Sequence, residues 1–137
     1  MINIIIQGQG IVGQSTELFI KEYAKDIEII FNDPPKGITA PDDAWAVADY
    51  VVICVSTDLD ETLTVPENSS ANIDAAMNEA LEHGFSGRFV LRSTTSIECV
   101  KLLLGQIGPR LIVWPEFIRE ATWQEDSVNP RMVLFGG

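Results

Sequence analysis

The residues best placed to do chemistry are glycines. Gly8-Gln9-Gly10-Ile11-Val12-Gly13 follows a short apolar run, Ile2–Gln7, and opens a segment with helical periodicity. This is G-x-G-x-x-G spacing in the strand–turn–helix setting that a dinucleotide-binding loop requires. Gly8 allows the tight turn, Gly10 lets a pyrophosphate approach the backbone, and Gly13 lets the helix pack against the strand. Val12 lies within the same loop. The free N–H groups and the positive end of the helix dipole then hold phosphate. Outside that setting the same glycines would be a turn with no ligand. Asp33 ends the next apolar run, 20 positions after Gly13. An acid there can accept both hydroxyls of an adenosine ribose, and it would repel a 2′-phosphate, which favours NAD over NADP. It can equally cap the turn before Pro34. Lys36 can reach the same ribose or stay solvated.

Further candidates follow later strand ends. Ser56 and Thr57 come after the apolar run at 50–55, and Arg92-Ser93-Thr94 comes after the run at 89–91. In an open α/β sheet, ligands lie outside the carboxyl ends of the strands, so hydroxyls there can bond a cofactor or substrate. Turn and cap chemistry is the competing use. Glu116 and Glu120 follow the run at 111–114 and share one face if the segment is helical. Two such carboxylates can position a water or accept a proton, or simply form an acidic first turn.

The elements that must position these residues alternate along the chain. Short apolar runs recur at Ile2–Gln7, Ile27–Asn32, 50–55, 89–91, 111–114 and 132–135, and the run at 50–55 is apolar on both parities, as in a strand covered on both faces. Between them lie helical patterns. Residues 11–25 carry Leu18, Phe19 and Tyr23. Residues 70–83 carry Ile73, Ala76, Met77, Ala80 and Leu81 as one stripe, with Ser69 or Ser70 to cap its start and Gly84 to end it. Residues 96–105 carry Ile97, Val100 and Leu104, with Thr95 and Glu98 at capping-box spacing. Pro34, Pro35, Gly37 and Pro41 break the stretch 33–49 into a turn, a short extended piece near Gly37 and a short helix near 43–47. Right-handed crossovers turn this alternation into a Rossmann-like, doubly wound α/β fold. It should be a mostly parallel sheet of about six strands with helices on both faces.

Composition narrows the function classes. The chain has 137 residues, which suits a single domain spanning 1–137, and 46% of them are apolar. Nine basic against 20 acidic residues leave a net charge of −11. Such a surface repels phosphate backbones and anionic lipid, so neither nucleic acid nor a membrane is an expected partner. Two cysteines and one histidine make neither a disulfide scaffold nor a zinc site, and no metal is expected. The N-terminus lacks a basic n-region and a small-residue cleavage site, so the expected compartment is the cytoplasm. The acidic loop Asp58-Leu59-Asp60-Glu61 is either solvated or a cation site.

Taken together, the segments resemble the N-terminal NAD-binding domain of the UDP-glucose/GDP-mannose 6-dehydrogenase family. The glycine loop is similar to that family's GxGxVG. Residues 48–57, ADYVVICVST, resemble its ADVVFIAVPTP strand. Ser69-Ser70 resembles its (T)SSV element, and 91–95, LRSTT, its VKSTV. The most specific match is 115–120, PEFIRE, to PEFLREG. It is followed by Asp126, by Asn129-Pro130-Arg131 and by Gly136-Gly137, similar to D…NPDRIVIGG. The family oxidises a nucleotide-sugar alcohol to the uronic acid with two successive NAD reductions. The resemblance implies that Gly8, Gly10, Val12, Gly13, Asp33, Ser56 and Thr57 cradle NAD. It implies catalytic places for three residues: Thr94 to order a water or touch the cofactor, Glu116 for acid/base work or water positioning, and Glu120 on the nicotinamide side.

The sequence also departs from that pattern. The segment after the second strand is short, Ser56 and Asp58 replace two prolines, Arg92 replaces a lysine, and Ala121 replaces a glycine. The family's nucleophilic cysteine, central dimerisation helix and nucleotide-sugar domain have no counterpart among these residues. Cys54 and Cys99 read as core fillers, and His83 as a helix C-terminal cation. Without a nucleophile the aldehyde-to-acid step has no thiohemiacetal. The expectation is therefore an NAD-binding domain that does not complete the full reaction alone. A second chain would supply the sugar site, and homodimerisation stays open. The alternative is a non-catalytic NAD- or nucleotide-binding module or partner protein.

Overall fold

Short runs of β-branched residues, apolar on both faces, assemble a sheet that needs helices above and below it. The computed structural model describes residues 1–56, 65–130 and 132–136, without the side chains of 65–70. Five strands form: β1 (Ile2–Gln7), β2 (Ile27–Asn32), β3 (Tyr50–Ile53), β4 (Arg88–Leu91) and β5 (Leu111–Val113). All neighbouring pairs are parallel, in the order β2-β1-β3-β4-β5. The helices are α1 (Ile11–Tyr23), α2 (Ala44–Val47), α3 (Val65–Glu82), α4 (Ile97–Ile107) and α5 (Trp123–Val128).

Strand parity sorts the core into two layers. Ile5, Val51, Ile53, Phe89, Leu91 and Leu111 pack with Trp45 of α2, with Ile73, Ala76, Met77 and Ala80 of α3, and with Cys99 and Leu103 of α4. Ile4, Ile6, Val52, Cys54 and Val90 pack on the other face with Ile20 of α1 and Trp114, and Val12 and Phe19 border that cluster. The doubly wound α/β fold is thus present, as an all-parallel sheet of five strands. The expected sixth strand, 132–135, does not join it. Only Gly136 bridges Val113, antiparallel, while Met132, Leu134 and Phe135 are each at least half exposed.

Several local expectations shift. The fully buried residues of α1 are Gly13, Ser15, Thr16 and Ile20 rather than Leu18 and Tyr23, while Phe19 packs against the core cluster as expected. Ser15 is covered by Ser127 of α5. Gly13 lies where the helix start meets the glycine loop, and a Cβ there would stand 1.9 Å from the Gly8 carbonyl oxygen. The helix α3 begins at Val65, so Ser69 and Ser70 lie inside it and do not cap it. Its inner stripe holds at Ile73, Ala76, Met77 and Ala80, but Leu81 is exposed. In α4 the cap is Ser96, whose hydroxyl accepts the Cys99 N–H at 3.1 Å, not Thr95. Cys99 and Leu103 are its buried residues, and Ile97 and Leu104 face outward. The stretch after β2 behaves as read: Asp33 and Ile38 bridge antiparallel, and α2 follows.

Candidate functional site

The strand order places a reversal of winding beside β1. The chain leaves β1 for β2 on one side and returns to β3 on the other. A crevice opens above such a point, outside the carboxyl ends of the strands. Here it is a cleft of about 500 Å³, lined by Gly8 and Gly10, by Asn32, Asp33, Pro34, Pro35 and Lys36, by Val55 and Ser56, and by Asn72, Ala75, Ala76 and Glu79 of α3. Gln7 and Cys54 complete its floor.

Each glycine of the loop has a separate structural cause. Gly8 has φ +99° and lies against β3, so that a Cβ would stand 2.4 Å from the Cys54 carbonyl oxygen. Gly13 lies against Gly8 itself, as above. Gly10 is different: nothing lies within 4 Å of where its Cβ would be. It is also the N-cap of α1, and no side chain caps that helix. The loop thus presents open space in front of uncapped backbone N–H groups, which is the geometry of an anion site. Asp33 braces the loop. Its Oδ2 accepts the Gln9 N–H at 2.9 Å, and the Lys36 ammonium donates to the Gln9 carbonyl at 2.8 Å and lies 3.9 Å from the same carboxylate.

Of the residues singled out in the sequence, Gly8, Gly10, Asp33 and Ser56 meet in this cleft. Val12 is turned toward the core beneath α1, and Gly13 forms the back of the loop. Thr57 and the acidic run 58–61 lie outside the described residues. Thr94, Glu116 and Glu120 do not line the cleft. Thr94 is exposed beyond β4, and Glu116 follows β5 in a non-helical segment where its Oε2 accepts the Ile118 N–H at 3.0 Å. Glu120 opens a 3-10 turn, Glu120–Thr122, and is exposed. The two carboxylates therefore do not share a helix face. Because the strands are parallel, Thr94 and Glu116 still lie on the same edge of the sheet as the glycine loop. Three strand spacings separate β1 from β5, about 14 Å, a distance of the order that an extended dinucleotide spans.

Two features were not anticipated. Arg92 is 5% exposed, with its guanidinium 3.8 Å above the Trp114 ring centroid. Its Nε and Nη1 have no hydrogen-bond partner among the described residues. Burial lowers its pKa, opposed by Cys54 and Glu116. The other is the polar inner wall of the cleft. There Asn32 donates to Glu79 while its Oδ1 accepts the Ala40 N–H at 3.0 Å. Asn32 and Gln7 each end an apolar strand with an amide, and that is the signal by which a sequence reading can find them.

The cysteines lie in the core, Cys54 on one face of the sheet and Cys99 on the other. Both are buried, and burial pushes the Cys54 thiol up to about 11. His83 follows α3, with Nδ1 2.8 Å from the Glu79 carbonyl and its ring stacked on Trp45. Among the described residues no group of three or more His, Cys, Asp or Glu is placed to hold a metal, and no helix is long and apolar enough to cross a membrane.

No protein-family model matches the sequence. Among solved structures the chain is similar to a UDP-glucose dehydrogenase from the hyperthermophilic archaeon Pyrobaculum islandicum. The TM-score is 0.70 at 16% identity, over 99% of this chain and 40% of that one. It is also similar to a GDP-mannose dehydrogenase from Pseudomonas aeruginosa, with TM-score 0.65 at 19% identity over 97% and 40%. A minor L-lactate dehydrogenase from Enterococcus mundtii gives 0.62 at 16% over 82% and 45%. These likenesses establish a fold shared with dehydrogenases of several kinds. The chain spans less than half the length of each of these three.

Proposed function

We propose that this chain binds NAD across the carboxyl edge of its sheet, as the cofactor domain of a protein resembling the nucleotide-sugar 6-dehydrogenases. The observation that carries the reading is the glycine loop. Its back is closed at Gly8 and Gly13, and its front is open at Gly10 above an uncapped helix. The N–H groups of that first turn would hold the pyrophosphate, with Lys36 as the nearby cation. Asp33 would accept the ribose hydroxyls and exclude a 2′-phosphate. Ser56 borders the same cleft, and Thr57 follows it in sequence.

When bound, NAD supplies a hydride acceptor. In this reading Thr94 orders a water or touches the cofactor, Glu116 takes a proton or positions the water, and Glu120 lines the nicotinamide side. The nucleotide-sugar site and the nucleophile of the second oxidation come from a second chain or a further region, because both thiols here are buried. That same observation favours a second reading, an NAD-binding module without turnover of its own.

The discriminating experiment is titration of the chain with NAD and with NADP, before and after Asp33→Asn. The wild type should prefer NAD, and the variant should lose most of that preference. Equal affinity of the wild type for both would remove Asp33 from the site.

A further inference from the structure

We infer that the cleft recognises the amino edge of the adenine, with the buried amide oxygen of Gln7 as its acceptor. The inference rests on the NAD reading above and adds what selects the base.

Gln7 ends β1 and is 2% exposed. Its Nε2 donates to the Ala76 carbonyl of α3 at 2.8 Å, which fixes the orientation of the amide. The opposite atom, Oε1, is buried and has no hydrogen-bond partner among the described residues, although Gln7 lines the cleft. A buried acceptor left unmade is costly, and its retention calls for a partner. The surroundings define that partner's chemistry. Ala75, Ala76, Pro34, Pro35 and Val55 give apolar walls, suited to the faces of a flat ring. The Asn32 amide gives one N–H to Glu79, and its oxygen accepts from the Ala40 N–H. Glu79 adds a carboxylate, a second acceptor on the side of α3 that carries Ala76. The lining cation, Lys36, is tied to the glycine loop instead. Phosphate therefore belongs at the loop, and an aromatic ring with a donor edge belongs against Gln7. The exocyclic amine of adenine is such an edge. Hypoxanthine presents a carbonyl at the same place and would set oxygen against oxygen.

The test is calorimetric titration of the full chain with NAD and with nicotinamide hypoxanthine dinucleotide. The wild type should prefer NAD by on the order of tenfold, the ratio expected when a buried acceptor loses a good donor. Gln7→Met keeps the length and removes the acceptor. It should bind both dinucleotides equally, with thermal unfolding confirming that it is folded. Equal affinity of the wild type for the two dinucleotides would overturn the inference and leave the NAD reading intact. So would discrimination that survives in the folded Gln7→Met variant. Failure of both dinucleotides to bind the wild type would overturn both readings. Should Gln7→Met not fold, the wild-type ratio alone decides.

Discussion

At the scale of single residues, three glycines in one motif carry three different loads, and substitution should separate them. Gly13→Ala forces a Cβ into the Gly8 carbonyl and should destabilise the fold by about 3 kcal/mol, read as a lowered midpoint in urea. Gly10→Val meets open space, so its stability should change by no more than about 1 kcal/mol, while ligand binding at the loop is lost. The thiols make an opposite prediction about reactivity. With Cys54 pushed up to about 11 and both cysteines buried, the native protein should not react with a disulfide reagent at neutral pH. Two thiols should appear on denaturation. Rapid native reaction would show that the core around β3 opens readily. Gly8 and Gly13 were legible because backbone geometry demands glycine at both, and Asp33 because it ends the second apolar run in front of a proline turn. Gln7 and Glu79 were not, because a lone polar residue in an apolar run says nothing of its partner until α3 is packed against β1.

At the scale of elements, α5 shows how a short helix is pinned by polar contacts. Arg119 grips Asp126 through Nε and Nη2 at 3.1 and 2.9 Å, and its own N–H donates to the same carboxylate at 2.9 Å. Thr122 adds a hydroxyl at 3.0 Å, and Ser127 donates to Ser15 of α1 at 2.6 Å. Tyr23 of α1 donates to the Val128 carbonyl. The Arg119 hydrogen bonds hold the Asp126 carboxyl well below the usual carboxylate range. A depressed folded pKa contributes stability that is complete above the unfolded value, about pH 4, and is lost as pH falls below it. Asp126→Asn should therefore lower the melting temperature at pH 7, and the gap to wild type should close below pH 4. A gap independent of pH would mean that packing, not charge, holds α5. In the core, Leu103→Ala removes a side chain 1% exposed and should cost about 2–5 kcal/mol. The strands were legible from their short apolar runs. The inner faces of α1 and α4 were read only in part, because small and polar residues, Ser15, Thr16 and Cys99, hold buried positions there. Helical periodicity counts large apolar groups, so it found Phe19 and Val100, which border the core, and missed the small residues beside them.

At the scale of the whole molecule, five parallel strands set the loop of β1, the acid of β2 and the hydroxyls and carboxylates beyond β3, β4 and β5 along one edge. That edge was readable from alternation alone, because crossover handedness leaves few ways to wind the chain. The sixth strand was not, since pairing of 132–135 depends on what lies beside β5 rather than on its own apolar pattern. The account holds the edge to be a cofactor site in a chain carrying a net charge of −11, so binding must be local, made by backbone N–H groups and one lysine rather than by a basic surface. The most direct test is calorimetric titration of the chain with NAD, run beside the Gly10→Val variant. The account predicts saturable, one-to-one binding by the wild type and none by the folded variant. Absence of binding by the folded wild type at millimolar NAD, or equal binding by the variant, would contradict it.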